Sequence, residues 1–492
     1  MSQTATINRS AMACLLLQHT SSAFGSAAYD FASFLFLVQI FPDTLVPASL
    51  TGLCSTACGL MFSSYIGGLV DQTHRLQFVR MTICSQKVIQ ALSYSLFLVF
   101  LISLKDVAIK AFYGQAAWYT VLFCWLILLF TIAAAALLKV TFTGLTVAIE
   151  RDWITEIAQG NSTILTRLNT YMRRIDLFTK LIAPLVVSLL TSFTGYPIAA
   201  TALLGLSVIT LLTEYLWIKV VYDRFPVLDR RHVSSDNPEE AIELLEEEDD
   251  GDRTIEIGGG SQHISKGFVS AMQTEIREWQ EFQQLPIFYS SVCMALIHLT
   301  TLSFDGTFIS YIKSARGFDD SLIAGMRGLC LVTGLFGTAV MPVLEERVGL
   351  ERAGAWSIWF EIACLAPVVT SFFCGMGKYG EHGPVWNSII LFGGIALSRI
   401  GLWSFDLCQL KELQVALDSH PKRNLLTAKQ LALQNLFDLL KYALTLGASS
   451  PIHFKWTALV SWLAIFCGAI SYAVYLRSVR GHLLHFCGNK KW

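Results

Sequence analysis

The chain has 492 residues, of which 53% are hydrophobic and only 15% are charged, and its formal net charge at pH 7 is -1. This composition excludes a soluble globular protein, because such proteins carry about 25% charged residues. A near-zero charge without a basic tract also excludes nucleic acid as a partner. The sequence therefore predicts an all-α polytopic membrane protein.

Cysteine spacing and short motifs give no sign of an enzyme. Most of the 12 cysteines lie inside apolar runs, and no CxxC pair or Cys/His cluster has zinc-binding spacing. The sequence also lacks a P-loop, a GxSxG turn and an HExxH helix. We expect neither catalysis nor a bound cofactor, and any active transport must draw on an ion gradient or on the gradient of the substrate.

Twelve apolar segments have a length close to or above the roughly 20 residues that a membrane-spanning helix needs. Six precede residue 223 and six follow residue 275. The predicted spans are 12–41, 45–69, 76–104, 115–149, 163–193, 196–222, 286–314, 320–344, 351–376, 384–410, 424–449 and 453–478.

An acidic segment separates the two sets of spans. It contains the run EEAIELLEEEDDGD and a Gly-Gly-Gly triplet, which indicate a disordered, solvated linker. The predicted organisation is an N-terminal six-helix lobe, a cytoplasmic linker, a C-terminal six-helix lobe and a tail, at 1–222, 223–275, 276–480 and 481–492. Two six-helix lobes are typical of the major-facilitator fold, whose substrate sites lie near the membrane midplane between the repeats.

The positive charges of the short loops predict the orientation. An even number of spans places both termini on one side, and the loops on that side carry the arginine and lysine residues, including Arg75, Arg151, Arg347 and Arg423. Both termini are therefore assigned to the cytoplasm. The sequence does not distinguish a plasma membrane from a vacuolar or other organellar one, and we expect a monomer surrounded by membrane lipid.

The loop after the second span carries a pattern of the major-facilitator gating type. GGLVDQTHR places Gly67, Asp71 and Arg75 at the spacing G-x-x-x-D-x-x-x-R. Asp71 and Arg75 lie one helical turn apart, so they can pair with each other or with a helix end in the other lobe and hold one access state closed. The alternative is an ordinary cytoplasmic turn.

Charged residues also lie in an otherwise apolar helix between Glu150 and Ser192. Asn169, Arg173, Asp176 and Lys180 are four, three and four residues apart and share one helical face. Ionisable residues at membrane depth usually face a bundle interior or a water-filled path. Asp176 could ligate a divalent cation with an Asn169 oxygen beside it. Alternatively, the basic residues neutralise Asp176 structurally, and both roles can coexist if a gating pair breaks when the cation arrives.

Several strings spread over nearly the whole chain resemble ferroportins, the iron-exporting solute carriers of the major-facilitator superfamily. They include AIERDW at Ala148–Trp153, RRID at Arg173–Asp176, SFDG at Ser303–Gly306 and RIGLWSFDL at Arg399–Leu407. The resemblance implies a secondary transporter that exports a divalent metal cation, iron(II) above others, by alternating access between the two lobes. The metal ion would be the substrate.

The resemblance also implies one metal site in each lobe. In the first lobe the family uses an aspartate on span 1 and the RRID aspartate, which is Asp176 here. The first of these falls on Ser26, and the nearest carboxylate is Asp30, one turn further along the same face. The expected site is therefore Asp30 with Asp176, supported by oxygens of Ser26 and Asn169. Asp30 as a pore-lining or pairing residue is the alternative.

The second lobe departs further from the family pattern. The family cysteine on span 7 is Gly306 here, and the family histidine on span 11 is Lys441. Thiolate and imidazole suit iron, whereas an ammonium repels a dication. Asp305 and Asp438 remain nearby along this predicted second-lobe pathway, and Asp438 can pair with Lys441 at i,i+3 spacing. The second site is therefore predicted to be lost or converted.

Two other functions remain open from the sequence. A major-facilitator carrier of a non-metal, organic or anionic solute would suit the positive charges of Arg173, Arg174 and Lys441, the first two of which we otherwise assign to gating. A receptor or scaffold without transport is supported only by the acidic linker. The histidines are not predicted as ligands, since His298 is expected to be a satisfied core residue and His19 is one of several scattered elsewhere.

Overall fold

The computed structural model describes residues 9–41, 46–104, 110, 117–229, 273–302, 308, 311–312, 316–318, 320–374, 384–447 and 454–480. All regular secondary structure within these ranges is helical. Most of the predicted linker, the predicted tail, and the second-lobe residues Asp305 and Gly306 lie outside the described residues.

Residues 9–229, here called the N-terminal part, form seven α-helices. They are α1 (Arg9–Ile40), α2 (Val46–Gln72), α3 (Arg75–Val99), α4 (Trp118–Leu145), α5 (Ile154–Ala158), α6 (Ser162–Thr194) and α7 (Tyr196–Arg224). A π-helical segment, Thr146–Trp153, joins α4 to α5. The Asn161 side chain caps α6 by accepting hydrogen bonds from the backbone N–H groups of Thr163 and Ile164, both at 3.1 Å.

Residues 273–480, the C-terminal part, form seven more described helices. They are α8 (273–284), α9 (Ile287–His298), α10 (Asp320–Val348), α11 (Leu350–Phe373), α12 (Val385–Ala416), α13 (Arg423–Gly447) and α14 (Phe454–Arg480).

Ten of the described helical stretches are long and apolar enough to cross a membrane, judged by length and composition. They coincide with ten of the twelve predicted spans and confirm an all-helical, multi-pass membrane protein. The predicted spans 286–314 and 424–449 are not among them. The described helix of the span 286–314, α9, has 12 residues. The second, α13, turns polar side chains inward, so Lys429 and Gln430 are fully buried.

Each part of the chain has its own apolar core, and α13 connects them. One core in the C-terminal part includes Ile358, Phe405 and Tyr472. A core in the N-terminal part surrounds Trp153 and also takes in Ala428 of α13. The helix α13 packs against α2, while α10 and α12 both contact α6. These cross-contacts bring charged residues of the two parts together.

Candidate functional site

His19, Glu150 and Asp176 form a cluster inside the N-terminal part. One possible ligand atom from each side chain lies within 4.8 Å of the others. His19 Nε2 and Asp176 Oδ1 are 2.9 Å apart. One imidazole nitrogen and two carboxylates form a donor set that suits divalent first-row metals such as iron.

The three side chains come from three different elements. His19 lies on α1, Asp176 lies on α6, and Glu150 lies in the π-helical segment between α4 and α5. A π-helical insertion widens one turn and re-aims its side chains, and such insertions are frequent at functional sites. The cluster therefore depends on how α1, α6 and the π-helical segment pack, and not on any local sequence pattern.

Arg173 connects this cluster to the C-terminal part. Its Nη1 lies 3.4 Å from Asp176 Oδ2, and its Nε lies 2.7 Å from Asp406 Oδ2 on α12. The contact with Asp406 is an ion pair whose angles are poor for a hydrogen bond. The guanidinium also lies 5.6 Å from the ring centroid of Trp403. Since one guanidinium serves two carboxylates, a cation that binds Asp176 competes with Arg173 for that carboxylate and leaves the guanidinium to Asp406 alone.

Of the four predicted metal-site residues, only Asp176 belongs to the cluster. Asp30 is exposed and lies eleven residues beyond His19 on α1, which is about 16 Å along the helix axis. Ser26 is seven residues beyond His19, or about 10 Å. Neither can reach the carboxylate that His19 contacts. The expected pair of Asp30 and Asp176 is therefore not brought together.

Asn169 takes part in a contact between the two parts of the chain. Its side chain is buried, and its Nδ2 donates to Gln414 Oε1 on α12 at 2.6 Å. Gln414 Nε2 in turn donates to the backbone oxygen of Glu150 at 3.0 Å. Asn169 thus holds α6 against α12 and leaves no metal-facing role for its amide in this arrangement.

In the C-terminal part, Asp438 lies between two nitrogen groups. Its Oδ1 is 3.3 Å from Lys441 Nζ, as expected from the i,i+3 spacing, and its Oδ2 is 3.3 Å from His298 Nδ1. His298 therefore pairs with a carboxylate of the predicted second-lobe pathway. Because the Lys441 ammonium already pairs with it, the Asp438 carboxylate is neutralised without a metal ion.

A network of ion pairs joins the two parts at the start of α13. Asp152, which is buried, pairs with Arg75 at 2.8 Å and also with Arg423 of α13. Glu156 pairs with the same two arginines at 2.9 and 2.7 Å. Two carboxylates of the N-terminal part therefore hold an arginine from each part.

Asp71 contacts the first turn of α13. Its carboxylate accepts hydrogen bonds from Asn424 Nδ2 at 2.7 Å and from the backbone N–H of Leu425 at 3.0 Å. The sequence predicted that Asp71 pairs either with Arg75 or with a helix end in the other lobe, and the structure shows the contact with a helix end. Gly67 permits the close approach, since a Cβ there would lie 2.6 Å from Cβ of Ala428.

Two further contacts close the same side of the molecule. Lys411 Nζ donates to the hydroxyls of Ser162 and Thr166, at 2.6 and 2.5 Å, and pairs with Glu345. Arg174 Nε donates to Thr338 Oγ1 at 3.0 Å. Of the arginines assigned to gating from the sequence, Arg173 and Arg174 therefore both bridge α6 to the C-terminal part.

Sequence reasoning missed His19 and Glu150. Each is an ionisable residue in an apolar segment, which is a feature of the sequence that could have identified it. Helical spacing could not reveal that His19 contacts Asp176, because the two residues are 157 positions apart.

A bundle of apolar helices with an ionisable cluster inside it, and with charged contacts closing one end, is the architecture of a membrane transporter. The family model described as Ferroportin1 (FPN1) matches residues 9–465. The chain belongs to the ferroportin family, whose members are membrane transporters and not enzymes.

Individual relatives match across the whole length. Solute carrier family 40 member 2 of Arabidopsis thaliana is 27% identical over 97% of this chain and 92% of its own length. Ferroportin of Homo sapiens is 26% identical over 97% of this chain and 93% of its own.

Solved structures share the fold. A bacterial homologue of the iron transporter ferroportin, in an outward-facing state with soaked iron, has a TM-score of 0.72 and 20% identity, covering 94% of this chain and 98% of that one. A bacterial homologue in an inward-facing state has a TM-score of 0.60 and 20% identity, covering 96% of this chain and 99% of that one.

Proposed function

We propose that the protein is a secondary transporter of a divalent metal cation, with iron(II) as the favoured substrate. The observation that carries this proposal is the cluster of His19, Glu150 and Asp176, tied by Arg173 to Asp406 of the C-terminal part. The names of the relatives and of the solved homologues, which include ferroportin and an iron transporter, support the choice of metal.

The proposed mechanism is alternating access between two lobes, with export as the direction. With the contacts at Asp152, Asp71 and Lys411 in place, one side of the path is closed. A cation that binds His19 and Asp176 takes the Asp176 carboxylate from Arg173, which then pairs with Asp406 alone. The contact of Arg173 with Asp406 must break together with the other contacts between the two parts for the closed side to open, so occupancy of the site and the state of the gate are linked.

The wider organisation belongs to the same proposal. We infer an N-terminal lobe at 1–222, a linker at 223–275 and a C-terminal lobe at 276–480, in a monomer with both termini in the cytoplasm and no resident cofactor. The alternative of an anionic or organic solute is less favoured, because Arg173 and Lys441 already pair with carboxylates and Arg174 donates to a hydroxyl.

Uptake into proteoliposomes tests the substrate and the site together. Fe²⁺, Co²⁺, Ni²⁺, Zn²⁺ and Mn²⁺ are offered to unsubstituted protein and to the Asp176→Asn variant. We expect uptake of iron(II) and a reduction of about tenfold or more in the variant, since one lost ligand costs at least about 1.4 kcal/mol.

Asp30→Asn is the matched control, because it removes a carboxylate that lies outside the cluster, and it should stay within about twofold of unsubstituted protein. Metal uptake that is indifferent to Asp176→Asn would overturn the site. Uptake of none of the five metals would overturn the proposed function itself.

A further inference from the structure

A cavity lies away from the metal cluster, between the start of α3 and the C-terminal half of α7. Its volume is about 380 Å³. The polar part of its lining consists of His74, Gln77 and Arg80. The apolar part consists of Leu76, Met81, Cys84 and the ring of Tyr215. No contact that closes the gate or binds the proposed substrate involves this cavity. Its mixed lining suits a ligand with one charged end and one apolar end.

Arg80 is held in place but lacks an acceptor. Its guanidinium lies 4.3 Å from the ring centroid of Tyr215, which fixes the guanidinium plane. Its Nε is buried without a hydrogen-bond partner. Among the described residues, no carboxylate oxygen lies within 4 Å of it. A buried donor without an acceptor is destabilising, so an acceptor supplied by a ligand would stabilise this arrangement.

The acidic residue beside His74, at one end of the cavity, is engaged elsewhere. Asp229 accepts a hydrogen bond from the Tyr222 hydroxyl at 2.7 Å and lies 3.9 Å from His74 Nε2. It forms no ion pair with Arg80. The cavity therefore favours an anion.

The surroundings of the cavity are apolar and exposed. Met81, Leu212 and Leu216 are 61%, 65% and 61% exposed. In a chain that spans a membrane, such a surface of α3 and α7 faces lipid hydrocarbon. The polar end of the cavity lies toward His74, which immediately precedes α3 and whose Nε2 is 3.2 Å from the Tyr222 hydroxyl near the end of α7. The polar residues of the lining thus lie at His74 and in the first two turns of α3, and the apolar surface continues along α3 and α7 beyond them.

We propose that this cavity binds an anionic phospholipid. Arg80 donates charge-assisted hydrogen bonds to the phosphate oxygens, and the planar fork of a guanidinium matches phosphate better than an ammonium does. Gln77 and His74 offer further donors, and an acyl chain follows Met81 and Leu212. Basic pockets between transmembrane helices near the membrane surface are known to take anionic headgroups.

Native mass spectrometry of the full chain tests this proposal. The protein is released from vesicles of phosphatidylcholine that contain a minor fraction of phosphatidylinositol, and the bound lipid is counted. We expect retained phosphatidylinositol, and about a tenfold loss of its occupancy in Arg80→Gln, which corresponds to about 1.4 kcal/mol. Arg347→Gln is the matched control, because Arg347 is an exposed arginine at the end of α10 outside the cavity. The occupancy of phosphatidylinositol on Arg347→Gln should differ from that on the unsubstituted protein by less than about twofold.

Two additional variants keep the test decisive if Arg80→Gln fails to fold. Arg80→Lys keeps the charge but loses the fork, and Tyr215→Leu removes the ring that orients the guanidinium. Both should retain less phosphatidylinositol than the unsubstituted protein. Equal retention in every variant would overturn the proposal, as would an equal loss in Arg347→Gln, which would indicate attraction by net charge alone. Tight binding of inorganic phosphate in lipid-free micelles would assign the cavity to a soluble anion instead.

Discussion

Replacing Asp406 with asparagine removes one charge from the pair that links the metal cluster to the C-terminal part. The side chain keeps its shape, but Arg173 loses the carboxylate that lies 2.7 Å from its Nε. Both side chains are largely shielded, with 17% and 10% of their surfaces exposed. Close charge pairs between two protein surfaces have coupling energies of about 1.5–7 kcal/mol. We take about 2 kcal/mol as the loss from the closed arrangement, which changes the ratio of closed to open molecules by about 30-fold.

The size of the expected population shift follows from this value. If the open state holds about 1% of molecules, as minor states often do, Asp406→Asn raises it to about one fifth. This fraction is large enough to be measured directly. The metal site itself is unchanged, since His19 and Asp176 keep their 2.9 Å contact. The substitution should therefore open the closed side without abolishing metal binding.

Distance measurements by pulsed electron paramagnetic resonance report this opening. Spin labels carried by noncanonical amino acids are placed at Thr163 and Glu346, which are exposed and flank the 2.8 Å contact between Thr166 and Glu345. Such labels leave the 12 native cysteines untouched. We expect a second, longer distance in Asp406→Asn, and a distribution identical to that of the unsubstituted protein would refute the gating role of this pair.

Asp418→Asn is the control for this experiment. Asp418 is also a carboxylate near the gate, 3.9 Å from Arg423 Nη1, but 55% of its side chain is exposed. Exposed pairs of this kind contribute about 0–1 kcal/mol. The distance distribution should therefore barely change.

Three other substitutions have expected outcomes. His19→Gln should weaken Co²⁺ binding, measured by calorimetry, by about tenfold or more, because an imidazole ligand is lost. Asp30→Asn should leave Co²⁺ binding unchanged. Equal effects of the two substitutions would contradict the cluster. Gly67→Ala should destabilise the closed arrangement by about 1–3 kcal/mol and so open the closed side, because its Cβ would collide with α13. Gly52→Ala, which has nothing near its Cβ, should leave the arrangement closed. Distance measurements that find Gly67→Ala fully closed would contradict this packing. Lys87→Met should lower the melting temperature by leaving a fully buried glutamate uncompensated, at a cost of about 3–5 kcal/mol, and unchanged melting would argue against the buried pair.

The helices were predictable because each apolar run is a local property of the chain. Ten predicted spans coincide with long apolar helices. The span predicted at 424–449 is helical over Arg423–Gly447 but fails as an apolar span, because one face carries buried amides and charges such as Lys429 and Gln430. Its environment is set by the helices around it, which hydropathy does not record.

The candidate site was predictable only in part. Asp176 and Arg173 stand out as charges within an apolar helix, and the structure places both at the centre of the site. The partner of Asp176 could not be found in the same way, since the pairing of α1 with α6 is a tertiary contact. Proximity in sequence to the family position favoured Asp30, but eleven residues of helix separate Asp30 from His19 by about three turns.

The helix α13 carries two charged contacts that lie far apart in the molecule. Its first residue, Arg423, pairs with Asp152, and fifteen residues later Asp438 contacts His298 of α9. A straight helix carries these two points about 22 Å apart as a rigid rod. A movement that withdraws Arg423 from Asp152 must therefore also displace Asp438 relative to His298, so the two contacts cannot change independently.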